Sequence, residues 1–426
     1  MKPEEVLEKI NDDRFRWIDI YYTDVLGNYK CVTIPSRKIS KRNFKEGILA
    51  IDHESMFYTE GEHITLIPDS DTYAPVPWEP STARLIASGD SPNDPRNMLN
   101  KASQLFEKET KCQLHVGSEI DYYLMDTLIV TNEDKNSGIA LDSKELNMNI
   151  YKGEVGNALR RYQTMNGDIG RSIRMQVGEY SQVMDINVSS HNHEKGKNQH
   201  ELALEKEKVL KAADDMVGIK YVTKNSAMIV GAMCSFSPLI CDSEPVNKVH
   251  INMSAWQKNE NKFLDLEGKK LSEMGYYFSA GVMEHINSLS AFLLPSTLSY
   301  KKMSHLENIR ALNNILRIPN PVFGEEDKRV EYRLADPSMN PYLGYSALMC
   351  AGLDGINKKM EFNEKKNVRP PVTLTESLSS LMEDSEYLNK IFTGDFIHNY
   401  IELKEREVKE NSSKVSVNEV TRYFNI

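Results

Sequence analysis

The chain has 426 residues, enough for one large or two ordinary domains with ample core. A hydrophobic share of 40% and a charged share of 27% fit a soluble globular protein, and a net charge of −10 argues against a general nucleic-acid binder. Scattered cysteines without a CxxC pair, a charged N-terminus (MKPEEVLEKI) and no apolar run near the ~18 residues of a membrane span predict a cytoplasmic protein with reduced thiols.

A short amphipathic helix opens the chain, and Trp17–Ile34 reads as a hairpin, two β-rich runs joined by Gly27-Asn28. The apolar run GILAI ends on Asp52, Glu54 and Ser55, residue types that suit a turn and helix start. Pro68–Ser81, with its prolines, predicts a stiffened loop, and ARLIA a short strand. The stretch SGDSPNDP then marks a boundary. Asp94 is the N-cap and Pro95 the first helical residue of a helix with the apolar stripe Met98, Ala102, Leu105 and Phe106.

Beyond it, four stretches alternate at the period of a strand. In HVGSEIDYYLM, Glu119 and Asp121 share one face and Ile120, Tyr122 and Leu124 the other. Between this strand and the next, NEDKNSG reads as an exposed loop and GEVGNALRRYQTM as a helix. In DINVSSH, Asp185, Asn187, Ser189 and His191 share a face. The run continues through NHEKGKNQHE, where Glu194 and Glu201 lie across a Gly196 turn. His193 and His200 are of a type that can ligate metal, but loop histidines are more often solvated, and both read as solvated. A long helix is predicted next, from Leu202 to Ala227. KVHINMS places His250, Asn252 and Ser254 on one face, and RVEYRL places Arg329, Glu331 and Arg333 on one face.

Any one such face can be a solvated surface with cross-strand ion pairs. Four in one chain predict a concave antiparallel sheet around a polar site. Its carboxylates Glu119, Asp121, Glu194, Glu201 and Glu331, with the single imidazole of His250, suit Mg²⁺ or Mn²⁺ rather than zinc. Forked arginines suit phosphate or carboxylate. With no Walker loop and no GxGxxG, a nucleotide would be held by metal and arginine.

At this point the chain resembles the glutamine synthetase family, from about Trp17 to the C-terminus. EIDYYL is similar to the family's EhEF(F/Y)L, HNHEKGKNQHE to HHEVxPGQHE, KVHINMS to GMHxHxS, and PSTLSYKK to PTxNSYKR. LRIP is similar to IRIP, RVEYRLADPSMNPYL to RRIExRxPDPxxNPYL, IDHES to FDGSS, and PDSDTYAPVPW to PDxxTxxxxPW.

The resemblance implies an α+β fold: a small β-grasp-like domain over residues 12–93 and a catalytic domain over 94–426, with a curved antiparallel sheet and surrounding helices. It implies ATP and Mg²⁺ (or Mn²⁺) as cofactors. Asp121, Glu194 and Glu201 would hold one ion, and Glu119, His250 and Glu331 another. Arg317, Arg329 and Arg333 match arginines facing phosphates and the acyl phosphate, and Asn252 and Ser254 lie on the nucleotide side. Asp52 and Ser55 match a turn that a neighbouring subunit inserts to bind and deprotonate ammonium, and Glu307 is the candidate counterpart of a flap glutamate. The family's stacked rings imply a homo-oligomer working on small-molecule carboxylate and amine substrates, with no nucleic acid and no membrane.

The substrate side departs from the family pattern. The NGxGMH loop reads PVNKVH, so that Val246 and Lys248 replace glycines. The family's Glu is Asp121 here, the second His of GMHxH is Asn252, the arginine of SYKR is Lys302, and an arginine position in NRSAxIR is Leu312. The reading is therefore an ATP-dependent carboxylate–amine ligase acting on substrates other than glutamate plus ammonia, in the manner of γ-glutamyl-polyamine or γ-glutamyl-amide synthetases. The alternative is a catalytically silent relative with a structural or regulatory role.

Overall fold

The computed structural model describes residues 1–50, 63–133, 136–142, 160–162, 168, 170–242, 244–265, 267, 270–301, 315–320, 324, 327–363 and 368–414. The fold is α+β, built on two sheets that differ in wiring. The first has strands β1 (Trp17–Thr23), β2 (Tyr29–Pro35), β3 (Ile48–Ala50), β4 (Ile64–Pro75) and β5 (Thr82–Gly89), in the order β2-β1-β5-β4-β3. Its central pair, β1 and β5, runs parallel and the rest antiparallel. Ile18, Ile20 and Ile64 join Val6 and Ile10 of helix Pro3–Asp12 in a separate small core.

The expected stiffened loop is in part a strand, since β4 runs through Pro68 to Pro75 with a bulge between Asp69 and Ala74. The short β3 pairs only with Ile64–Leu66. Past Leu66, β4 is therefore an edge among the described residues, where proline costs no ladder bond.

The remaining strands are β6 (Gln113–Met125), the hairpin β7 (Thr127–Glu133) and β8 (Asn136–Asp142), β9 (Val188–His193), β10 (Gln199–Leu204), β11 (Glu207–Lys208), β12 (Met233–Ser235), β13 (Val249–Gln257), β14 (Glu260–Asn261), β15 (Leu316–Arg317) and β16 (Val330–Ala335). The NEDKNSG stretch, expected as loop, belongs mainly to the β7–β8 hairpin, while most of the expected GEVGNALRRYQTM helix lies outside the described residues. The large sheet runs β15-β16-β13-β6-β10-β9, antiparallel throughout, with β11, β12 and β14 attached to it. The helix expected from Leu202 starts instead at Val209. Leu202–Leu204 is strand, because pairing with both β6 and β9 outweighs its helical propensity.

The back of the large sheet is held by helix Pro341–Lys358. The sequence MNPYL starts it, with Asn340 as N-cap accepting from Tyr342 N and Pro341 at the first turn. Tyr345 bonds Ser118 of β6 at 2.7 Å, and Tyr342 donates to Asp214 at 2.7 Å. Helix Glu273–Glu284 crosses it so closely that a Cβ on Gly281 would lie 2.1 Å from Ala351 O, and one on Gly355 2.1 Å from Tyr277 O. The polar face of the sheet is thus backed by a stiff, dry layer.

Candidate active site

The antiparallel register lines up the polar residues across four strands. Glu119 of β6 is opposite His250 of β13, Asn252 is opposite Glu331 of β16, and Glu331 is opposite Arg317 of β15. A register shift between Val249 and Ile251 puts His250 at an irregularity against β16, the kind of kink that re-aims a side chain. His250 Nδ1 lies 3.0 Å from Glu119 Oε2 and 3.7 Å from Glu331 Oε1. Arg317 donates through Nε to Glu331 Oε2 at 2.7 Å, and Arg333 Nε is 3.4 Å from Glu331 Oε1. Glu331 is 1% exposed, so its carboxyl is held by the arginines and the imidazole around it rather than by water. Burial opposes ionisation of Glu119, but hydrogen bonds and charge from His250 and Asn252 outweigh it and hold its carboxyl below the usual range.

A cleft of about 370 Å³ opens beside this row, lined in part by Gly117, Glu119, Lys206, Asn252, Ser254 and Arg329. Arg329 is fixed at its edge, donating to Asn252 Oδ1 at 3.0 Å and to Asp327 Oδ2 at 2.7 Å. Ser254 accepts from Trp256 Nε1 at 2.8 Å, and Lys206 stands over the Trp256 ring, 4.2 Å from its centre.

On the other side of β6 the balance is acidic. Asp121 is opposite Glu201 of β10, and Glu194 follows the end of β9. Burial, then the charges of Glu201 and Glu194, push the Asp121 carboxyl well above its usual range, against a backbone hydrogen bond from Lys248. Burial, then Glu119 and Glu194, likewise raise Glu201. Arg161 meets this group, its Nε 2.9 Å from Glu194 Oε2.

The loop carrying Glu194 is fastened from below. A Cβ on Gly196 would lie 2.2 Å from Tyr123 Oη, so only glycine fits there. Gln199 accepts from Gly196 N at 2.9 Å and donates to Asn247 Oδ1 at 3.0 Å and Val246 O at 3.1 Å. Lys248 N donates to Asp121 Oδ2 at 3.1 Å, and Asp121 N donates to Lys248 O at 3.0 Å. Neither Val246 nor Lys248 has a positive φ, so the loop is reshaped rather than strained by the lost glycines.

His193 and His200 are fully buried, not solvated as expected. His200 bonds Arg174 at 2.8 Å and Asn198 at 2.8 Å, and Arg174 is clamped by Asp168 through two 2.7 Å bonds. Burial, then the charges of Arg174, His193 and His191, hold the His200 pKa well below its ordinary value, so it supports the fold as a neutral ring.

Glu119, Asp121, Glu194, Glu201, His250, Asn252, Ser254, Arg317, Arg329, Glu331 and Arg333 are described, and the register gathers them about β6, β13 and β16. Asp52, Ser55, Lys302, Glu307 and Leu312 lie outside the described residues. Arg161, Arg174, Asp168 and Asp327 were not anticipated. The arginine pair in ALRRYQ was the one available signal, and its helical reading hid it.

The donor set fits a hard divalent cation. Among the described residues Glu331 Oε1 and Glu194 Oε2 are buried and accept no hydrogen bond, and Asp121, Glu194 and Glu201 crowd beside Arg161. Buried carboxyl oxygens in surplus are what Mg²⁺ and Mn²⁺ select. Among the described residues no three His, Cys, Asp or Glu side chains already form a closed cage, and Arg317 and Arg161 rest on the carboxylates instead.

The chain is similar to known proteins along nearly its whole length. The family described as glutamine synthetase, catalytic domain, matches residues 92–423. Glutamine synthetase of Sulfolobus acidocaldarius is 28% identical over 450 aligned positions, covering 95% of this chain and 94% of that protein. The Pyrococcus furiosus glutamine synthetase is 29% identical, covering 97% of each. Among solved structures, Plasmodium falciparum glutamine synthetase superposes with a TM-score of 0.87 at 20% identity, covering 99% of this chain and 98% of that one. GmaS in complex with ADP gives 0.85 at 20% identity with both chains covered completely. The family match spans most of the chain, and the chain belongs to the glutamine synthetase family.

Proposed function

We propose that this family member is an ATP- and divalent-metal-dependent ligase that joins a carboxylate to an amine through an acyl phosphate, using substrates other than glutamate plus ammonia. The observation that carries the reading is the alignment of Glu119, His250 and Glu331 with Arg317, Arg329 and Arg333 on one sheet face. Glu119, His250 and Glu331 would hold one Mg²⁺ or Mn²⁺, and Asp121, Glu194 and Glu201 another. When bound, such ions neutralise phosphate charge. Arg329, oriented by Asp327, points its fork at the cleft bounded by Asn252 and Ser254, where a nucleotide would lie. A neighbour of the same fold, GmaS, is known in complex with ADP.

The substrate carboxylate oxygen would attack the γ-phosphorus of ATP, and ADP would leave. Arg317 and Arg333 would donate to the phosphoryl oxygens as charge spreads over them. The amine would then attack the acyl carbon, the C–O bond to phosphate would break with its electrons, and the amine would lose a proton. The resemblance gives that proton to Asp52 of an adjacent subunit, in a cytoplasmic homo-oligomer whose chains divide at about residues 12–93 and 94–426.

Substrate choice follows from what has changed. Lys302 and Leu312 stand where the family pattern has arginines, and each charge-assisted bond to a guanidinium contributes about 1.5–3 kcal/mol. Losing two weakens glutamate by roughly two to four orders of magnitude. Lys248 adds a cation to the loop that meets Asp121. Steady-state phosphate release across a panel of acids and amines tests the reading. Turnover is expected with some pair other than glutamate and ammonia. Brisk glutamine formation at low-millimolar glutamate would sink the substrate claim, and no ATP turnover with any pair would sink the ligase itself.

A further inference from the structure

The small sheet has a second face that the ligase chemistry leaves unused. Along β1, Ile18, Ile20 and Tyr22 enter the small core, so Trp17, Asp19 and Tyr21 line the opposite face. The register extends that face, with Thr33 of β2 opposite Asp19, Cys31 opposite Tyr21, and Thr82 of β5 opposite Trp17. Tyr29, Tyr221 of helix Val209–Ile229 and Glu79 complete an open cavity of about 490 Å³.

Its chemistry is unusual for a protein surface. Four aromatic rings and two carboxylates line it, and none of the lining residues is Lys, Arg or His. Tyr21 and Tyr29 stack with ring centres 4.5 Å apart, and Tyr221 meets them at 5.4 and 5.7 Å. Asp19 is 6% exposed, and its carboxylate is held by Thr33 Oγ1 at 2.6 Å and the Tyr21 hydroxyl at 3.0 Å. Trp17, at 44% exposed, presents its ring to solvent. The nearest basic residue in register, Arg84, donates to Met184 O at 2.8 Å and makes no ion pair with Asp19 among the described residues.

The geometry points to a binding site for a small organic cation of the alkylammonium class, separate from the catalytic face. The ring faces attract a desolvated cation, and Asp19 and Glu79 supply the opposing charge. A neutral ligand would lack this attraction, and an anion would be repelled by the two carboxylates.

Calorimetry on the full chain tests this, with choline as the probe and 3,3-dimethylbutan-1-ol as its neutral isostere. Choline should bind saturably and the alcohol at least tenfold more weakly. Trp17→Leu and Glu79→Gln alter exposed side chains, leave the core intact, and should each weaken choline roughly threefold to thirtyfold. Glu331→Ala should leave choline binding unchanged, which separates this site from the catalytic cleft and its fate from that of the ligase reading. Equal binding of the alcohol, absence of saturable choline binding, or loss of binding in Glu331→Ala but not in Trp17→Leu would each overturn the proposal.

Discussion

Two places in this molecule hold the same inventory, one imidazole between two carboxylates, and put it to opposite uses. His285, between helices, is engaged at both ring nitrogens: Nδ1 lies 2.8 Å from Asp384 and Nε2 3.0 Å from Asp354. Ser288 donates to the same Asp384, Lys358 pairs with Asp354, and Tyr387 stacks on the ring at 3.9 Å. His250 on the sheet is engaged among the described residues only through Nδ1, with Glu119 at 3.0 Å and Glu331 at 3.7 Å. One cluster is closed, its charge spent within the protein. The other reaches a cleft through Glu119, with Arg317 and Arg333 resting on the Glu331 carboxylate. Residue types alone would rank the two equally, and what separates them is that both ring nitrogens of His285 are engaged, whereas Glu331 Oε1 beside His250 accepts no hydrogen bond among the described residues.

The largest effect that could break this contrast is loss of metal-dependent function. Glu331→Ala combined with Glu194→Ala should lower ATP turnover roughly a thousandfold or more, and should abolish Mg²⁺-dependent thermal stabilisation. Asp384→Asn should do neither. Undiminished calorimetric metal binding in the first variant would remove the functional assignment of the sheet cluster.

A smaller effect sharpens it. Arg317 now occupies Glu331 Oε2, where a cation would compete with it. Arg317→Ala should therefore tighten Mg²⁺ binding by roughly threefold to tenfold while slowing turnover. Weaker Mg²⁺ binding would mean that Arg317 organises the carboxylate rather than blocking it.

Much of this was legible beforehand because strand alternation is a local property. The polar faces of β6, β13 and β16 follow directly from period-two spacing, and the helix start at Asp94-Pro95 from capping chemistry. What escaped depends on partners distant in sequence. Leu202–Leu204 has helical composition and becomes strand because β6 and β9 flank it. Proline in β4 is tolerated because β3 is too short to cover it. His200, on β10, is a neutral ring because burial, and then the charge of Arg174 from helix Arg171–Val183, work against its protonation. The separation of His250 from His285 needed geometry for the same reason.

The smallest predicted effect concerns pH and belongs to the closed cluster. Burial works against charging His285, but its hydrogen bonds to Asp384 and Asp354 and their charges outweigh this and raise its pKa above the ordinary 6.5. A histidine whose folded pKa exceeds its unfolded value binds more protons when folded, so stability falls as pH rises between the two. The contribution is fully present below about pH 6.5 and disappears as pH climbs through the raised folded value. His285→Gln should therefore cost about 2 kcal/mol at pH 6, and less as the pH is raised toward 9. Thermal unfolding of both forms across that range checks the sign. A penalty that grows with pH would mean that the ring is neutral in the fold and that the two carboxylates are satisfied by Ser288 and Lys358 alone.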